Sequence, residues 1–244
     1  MNLKHRITVS FLFISMAAFC QLPSLLKNKD TDSTGASGTD SASKKQSKDV
    51  VDFFIGGGFV FGPSDNGDKI QYGASREFAV GMGYARMLFK WNAIGIDAYY
   101  KSTGYYLTQD SSKILPNTNL HNSEKISFDN LGGLIFDRFY FGKVFFDGGF
   151  YTDWVMVSKH VTNDYYTVAN VNGGSSTHSV DRQLVFLNDY NYGLTFRFGK
   201  VNGVVLYFNY RLTNVFTKGT TQGTDMYYNL PLPPYVIGLV IGTF

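Results

Sequence analysis

Alternation of large apolar residues with small or polar ones, sustained over a dozen residues at a time, is the feature that most limits what this chain can become. A two-residue period puts successive side chains on opposite faces, so it specifies strands and is incompatible with helices. From Glu77 to Leu88, Phe78, Val80, Met82 and Tyr84 share one face and Ala79, Gly81, Gly83 and Ala85 the other. From Ala93 to Thr103, Ile94, Ile96, Ala98 and Tyr100 oppose Gly95, Asp97 and Lys101. From Val144 to Val157, Val144, Phe146, Phe150, Trp154 and Met156 oppose Asp147, Gly149 and Asp153. Gln183 to Phe198 and Val204 to Phe216 repeat the pattern, with Asp189 and Arg197 on the polar face of one and Asn209 and Arg211 on that of the other. Val51–Phe61, Lys125–Phe136 and Tyr235–Phe244 read as three further strands, for a total of eight. In the Lys125–Phe136 segment the more apolar set contains Asn130, and Asp129 falls with Lys125 on the other face.

The connections carry an independent pattern. They are short near Lys90, from Arg138 to Lys143 and from Gly199 to Gly203, whereas the intervening loops run to about a dozen residues or more. Tight turns at one end and long loops at the other match the layout of an outer-membrane barrel, and most of these segments exceed the ~9–11 residues that cross a bilayer at a tilt. The expected fold is all-β: an eight-stranded antiparallel transmembrane β-barrel with short periplasmic turns and long extracellular loops, over residues 51–244.

A soluble barrel or sandwich is the competing architecture, and composition discriminates between them. Charged residues are only 17% of the chain, against roughly 25% in a typical soluble domain, while aromatic residues also reach 17%. A water-facing polar face would be rich in Lys and Glu; here it is mostly Gly, Ala, Asn and Asp. Small residues and compensating charges suit the packed interior of an eight-stranded barrel. Glu77, Asp97, Lys101, Asp147, Asp189, Arg197 and Arg211 are the candidates to fill and cross-link that lumen, because buried charges must be paired. They read as a structural ion-pair network rather than a proton path.

Residues 1–20 have the organisation of a signal peptide: Lys4, His5 and Arg6, then an apolar run from Ile7 to Phe19, then Ala18 and Cys20 at −3 and −1 of a cleavage before Gln21. A lipoprotein signal is the rival reading, opposed by the bulky Phe19 before Cys20. Residues 21–50 are Ser, Thr, Gly, Asp and Lys without apolar period, the composition of a disordered periplasmic tether. With one cysteine in the chain, no disulfide framework or thiolate metal site is available. No basic-aromatic stripe exists to follow a phosphate backbone, which argues against nucleic acid as a partner.

The signal peptide with its start at Gln21, the eight alternating segments, and the C-terminal run YVIGLVIGTF together resemble the small eight-stranded outer-membrane β-barrels of Bacteroidota-type bacteria. The resemblance covers residues 51–244 at the level of fold. It implies residence in the outer membrane, contact with its lipid, and use of Phe244 as an insertion signal read by the barrel-assembly machinery.

No motif specifies chemistry. GGGFVFG (Gly56–Gly62) lacks the Lys-Ser/Thr of a phosphate loop. His160 and His178 lie with Asp164, Asp181, Ser175, Ser176 and Ser179 in the stretch 158–182, ordinary loop residues without the fixed spacing that catalysis or metal binding requires. The expectation is a non-enzyme without cofactor, a docking or structural component of the envelope. Tyr165 and Tyr166 are candidates to face other envelope or surface proteins. A lipid-active acyltransferase or deacylase and a small diffusion pore are the alternatives.

Overall fold

A computed structural model describes residues 49–63, 69–113, 116, 118–167, 174–184, 187–217 and 230–244. The segments read as signal peptide and tether lie outside the described residues, apart from Asp49 and Val50. Among the described residues there are nine strands: β1 (Asp49–Phe61), β2 (Arg76–Phe89), β3 (Asn92–Tyr106), β4 (Ser123–Phe141), β5 (Val144–Thr167), β6 (Gly174–Arg182), β7 (Tyr190–Lys200), β8 (Val204–Arg211) and β9 (Tyr235–Gly242). All pairings are antiparallel, in the order β4-β3-β2-β1-β9-β8-β7-β5, and a β4–β5 ladder closes the ring at eight strands. Closure leaves those eight without an unpaired edge over their shared length.

β6 is the ninth strand. Among the described residues it pairs only with the distal half of β5, Lys159–Thr167, and so forms a hairpin rising beyond the ring. The sequence reading placed one strand at Gln183–Phe198 and a loop at 158–182. Instead, β5 runs on through the stretch read as loop, and β7 starts only at Tyr190. Gln183, at φ 58°, turns the chain out of β6. Its amide donates to the Ser158 carbonyl (3.0 Å) and the Leu184 amide to Ser158 Oγ (2.8 Å), which fixes the end of β6 beside Lys159.

The outward face is apolar. Val51, Phe53, Ile55, Phe59, Phe78, Val80, Ile94, Ile96, Ile135, Phe150, Leu206, Leu239 and Ile241 are all exposed on it. At the tight-turn end, Phe89, Trp91 and Phe139 stack in a row, with centroids 5.6 and 6.0 Å apart. Three exposed lysines, Lys90, Lys143 and Lys200, stand at the three tight turns.

One face assignment from the sequence is corrected. In β4 the even-numbered residues point inward: Asn130 is buried with Ile126, Phe128, Leu134 and Phe136, whereas Asp129 and Lys125 lie on the odd, outward face. The reason is an apolar layer inside the ring at its long-loop end, where Ile126 and Phe128 pack with Tyr105, Leu107, Val215 and Phe216. The even side was therefore the more apolar one without facing outward. A bulge between Val155 and Val157, opposite Asp129/Asn130, inverts the parity of β5, so inward residues are odd up to Asp153 and even from Ser158. In β9, Ile237, Leu239 and Ile241 face outward, and Val236 and Val240 inward.

Candidate functional site

The interior is organised in layers. Nearest the tight turns, Arg138 is wholly buried, with Nη1 3.0 Å from Asp52 and Nε 2.8 Å from Asp147. Arg197 bridges Asp147 (2.8 Å) and Asp97 (2.6 Å). β1, β3, β4, β5 and β7 each contribute one member, so the cluster ties opposite sides of the ring together. Aromatic rings enclose it: the Arg138 guanidinium lies 4.4 Å from the Phe145 centroid and 4.9 Å from that of Phe136. Planar guanidinium groups, with five fixed donors, suit such an enclosure because they stack on rings while pairing with carboxylates in their plane.

Above this, Lys101 pairs with Asp153 and lies 3.8 Å from Glu77. Tyr99 donates to Asp153 at 2.8 Å, and Tyr207 to Glu77 at 3.3 Å. A cavity of about 30 Å³ beside them, lined in part by Asn130, Asn191 and Asn209, has room for about one water molecule.

Arg211, half-buried, closes the next level. It donates to Tyr105 Oη (2.8 Å), to the carbonyls of Leu232 (2.7 Å) and Pro233 (3.2 Å), and to that of Thr213 (3.1 Å). It thereby holds the chain before β9 across the mouth of the ring. The ring's outermost interior group is Glu124, which contacts Lys113 at 2.6 Å, His160 at 2.7 Å and Gln109 at 2.8 Å. Burial pushes the Glu124 carboxyl up, but these hydrogen bonds outweigh it and hold the group below the usual glutamate value. On the loop outside, hydrogen bonds from the Ser112 side chain and backbone likewise lower Asp110.

Of the residues singled out in the sequence, Glu77, Asp97, Lys101, Asp147 and Arg197 all converge in the interior, and Arg211 lies at its mouth. Asp189 does not join them. It lies exposed before β7, where its carbonyl accepts from the Val155 amide at 2.8 Å; the alternation attributed to one continuous strand breaks there. Phe244 is 2% exposed and faces inward, beyond the end of β9, stacked on Phe54 and close to Phe145. Its ring forms part of the enclosure around the two arginines rather than of the outward face. Tyr165 stands 69% exposed on the hairpin; the side chain of Tyr166 lies outside the described part.

The two histidines of the 158–182 stretch are held apart. His160 sits across from Asp181 and His178 across from Asn163, positions of opposite parity and hence on opposite faces of the hairpin. His178 Nδ1 contacts Asn163, and Asp164 is taken up by His121 Nδ1 at 3.0 Å. Arg138 was missed in the sequence because Asp137-Arg138 reads as the start of a turn. The period-two pattern nevertheless continues through it, with Leu134, Phe136, Arg138 and Tyr140 on one face.

No family model and no curated protein matches this chain.

Proposed function

We propose that the chain is a non-enzymatic β-barrel of the bacterial outer membrane that serves as a docking component of the cell envelope. The observation that carries this reading is the outward face of β2. Arg76 and Arg86 are both exposed on it, and between them stand only Phe78, Val80, Met82 and Tyr84. Ten residues span about 33 Å along a strand at ~3.3 Å each. At a tilt of about 40° that is close to 25 Å of height, the thickness of the apolar band on outer-membrane barrels. Charges inside and aromatics outside invert the polarity of a soluble protein of this size.

With a lumen filled by paired charges, function falls to the long-loop end. There the β5–β6 hairpin stands clear of the ring, with the nine residues of β6 paired on one side only among the described residues. Seven of them, Gly174 to Val180, carry no Lys, Asp, Glu or Pro that would blunt the edge. Tyr165 beside it is the kind of amphipathic side chain that anchors protein interfaces.

The test is affinity recovery from native membranes in mild detergent. The wild-type chain is expected to bring down a specific envelope or surface protein, and a variant shortened across 167–174 should lose that protein while keeping a heat-modifiable fold. Recovery of the same proteins by both forms would overturn the docking role.

A further inference from the structure

On the outward face of the hairpin, Lys159 lies directly across from Arg182 in the β5–β6 ladder. Directly opposed residues share a face, and like charges so placed destabilise a sheet. Lys125 joins them: it is diagonal to Lys159, two residues from its partner Ser127, and its Nζ lies 5.2 Å from the Tyr106 ring centroid on the same side. One acid offsets part of this charge. Asp129 sits 3.2 Å from Lys159 and also accepts from Ser102 at 2.7 Å. Three cations against one carboxylate leave a net of about two positive charges on a small patch, held there by ladder register and not by flexible loops.

The height of the patch identifies its counter-ion. Going up β4 from Asp137, an exposed acid near the tight turns, the outward positions Ile135, Gly133 and Leu131 carry no polar side chain, and Asp129, Ser127 and Lys125 follow. The eight residue steps from Asp137 to Asp129 rise about 20 Å at ~3.3 Å each and a tilt of about 40°, close to the ~25 Å apolar band of outer-membrane barrels. The patch thus begins where headgroups begin and faces away from the ring, with the exposed ring of Trp154 five residues before Lys159 on β5. A protein partner docking on the loops would approach the top of the hairpin, not its lipid-side flank.

We propose that Lys125, Lys159 and Arg182 form a site for the phosphate of an anionic lipid headgroup in the surrounding leaflet. The proposal rests on the membrane reading above. The bound phosphate compensates the opposed pair.

The test compares phosphatidylglycerol with phosphatidylcholine of the same chains, added to the full chain in detergent and counted by native mass spectrometry. At about fivefold per cation near a headgroup layer, wild type should favour the anionic lipid by an amount that K159Q/R182Q cuts about 25-fold. K143Q, which removes a cation at the opposite end, should leave the preference intact. If the double variant fails to fold, R182Q alone, at an exposed strand end, must still reduce the preference about fivefold. Equal binding of both lipids by wild type, or a preference unchanged in the variants, overturns the site. So does displacement of the lipid by excess inorganic phosphate, which would make the ligand a free anion. A chain that stays monodisperse without detergent refutes the membrane reading itself, a distinguishable failure.

Discussion

Replacing Arg138 by Met keeps most of the volume of the side chain and deletes its charge. Arg138 makes three charge-assisted hydrogen bonds, one to Asp52 and two to Asp147, at 2.8–3.1 Å with no solvent access. The two carboxylates are affected unequally. Asp147 keeps Arg197 at 2.8 Å, but Asp52 loses its only ion-pair partner among the described residues. Stranding one buried charge costs about 3–5 kcal/mol, whereas replacing a whole buried pair by apolar groups is often close to neutral. R138M should therefore lose about 3–5 kcal/mol. R138M/D52N, which removes the stranded charge as well, should recover half or more of that loss. The assay is denaturant unfolding in micelles, read by the mobility difference between folded and unfolded forms on unboiled gels. A loss below about 1 kcal/mol for R138M, or a double variant no better than the single one, would refute the claim that this cluster cross-links the ring.

Other expectations follow from the same geometry. R211A removes the donors that hold Leu232 and Pro233, and should cost about 2 kcal/mol by the same unfolding assay while recovery of a docked partner is unchanged. Y165A together with Y166A should do the reverse, with stability within about 0.5 kcal/mol of wild type and partner recovery reduced. Glu124 is held below its ordinary value of 4.5 in the folded chain. The unfolded state thus binds the proton more readily, so its contribution is present above pH 4.5 and lost as pH falls through the folded value. E124Q should flatten that acid limb of the stability profile, and an unchanged limb would count against the interaction. In planar bilayers the wild-type chain should give negligible steady conductance, since side chains fill the lumen; a stable, large single-channel current would contradict this.

Strand identity and the outward faces of β2, β3, β5 and β8 were legible in the sequence because there glycines and polar or charged residues recur at inward positions, such as Gly95, Asp97, Asp147, Asp153 and Asn209, opposite an apolar exterior. The reading failed where the interior itself is apolar. Ile126, Phe128 and Phe136 of β4 pack inward against rings and loop residues, so hydrophobicity no longer distinguishes the two faces. A bulge cannot be seen in period alone, and the one at Val155–Val157 hides the continuation of β5 into the hairpin. Arg138 shows the same limit from the other side, since an Asp-Arg pair near a turn looks solvent-exposed until the ring closes around it. The layering of charge from Arg138 to Glu124 depends on register across five strands, which no local pattern encodes.

The central claim is that the aromatic and aliphatic outer face meets lipid. Cys20 is the only cysteine, so with Cys20 replaced, single cysteines at Ile96, Ile135 or Leu239 can carry a spin label at known outward positions. In bilayers, collision with oxygen should dominate at all three positions and collision with a water-soluble nickel chelate should be low, whereas a label at Asp110 on the loop should show the opposite. Equal access of the nickel chelate to Ile96, Ile135, Leu239 and Asp110 would mean that the belt faces water, and the account would fail.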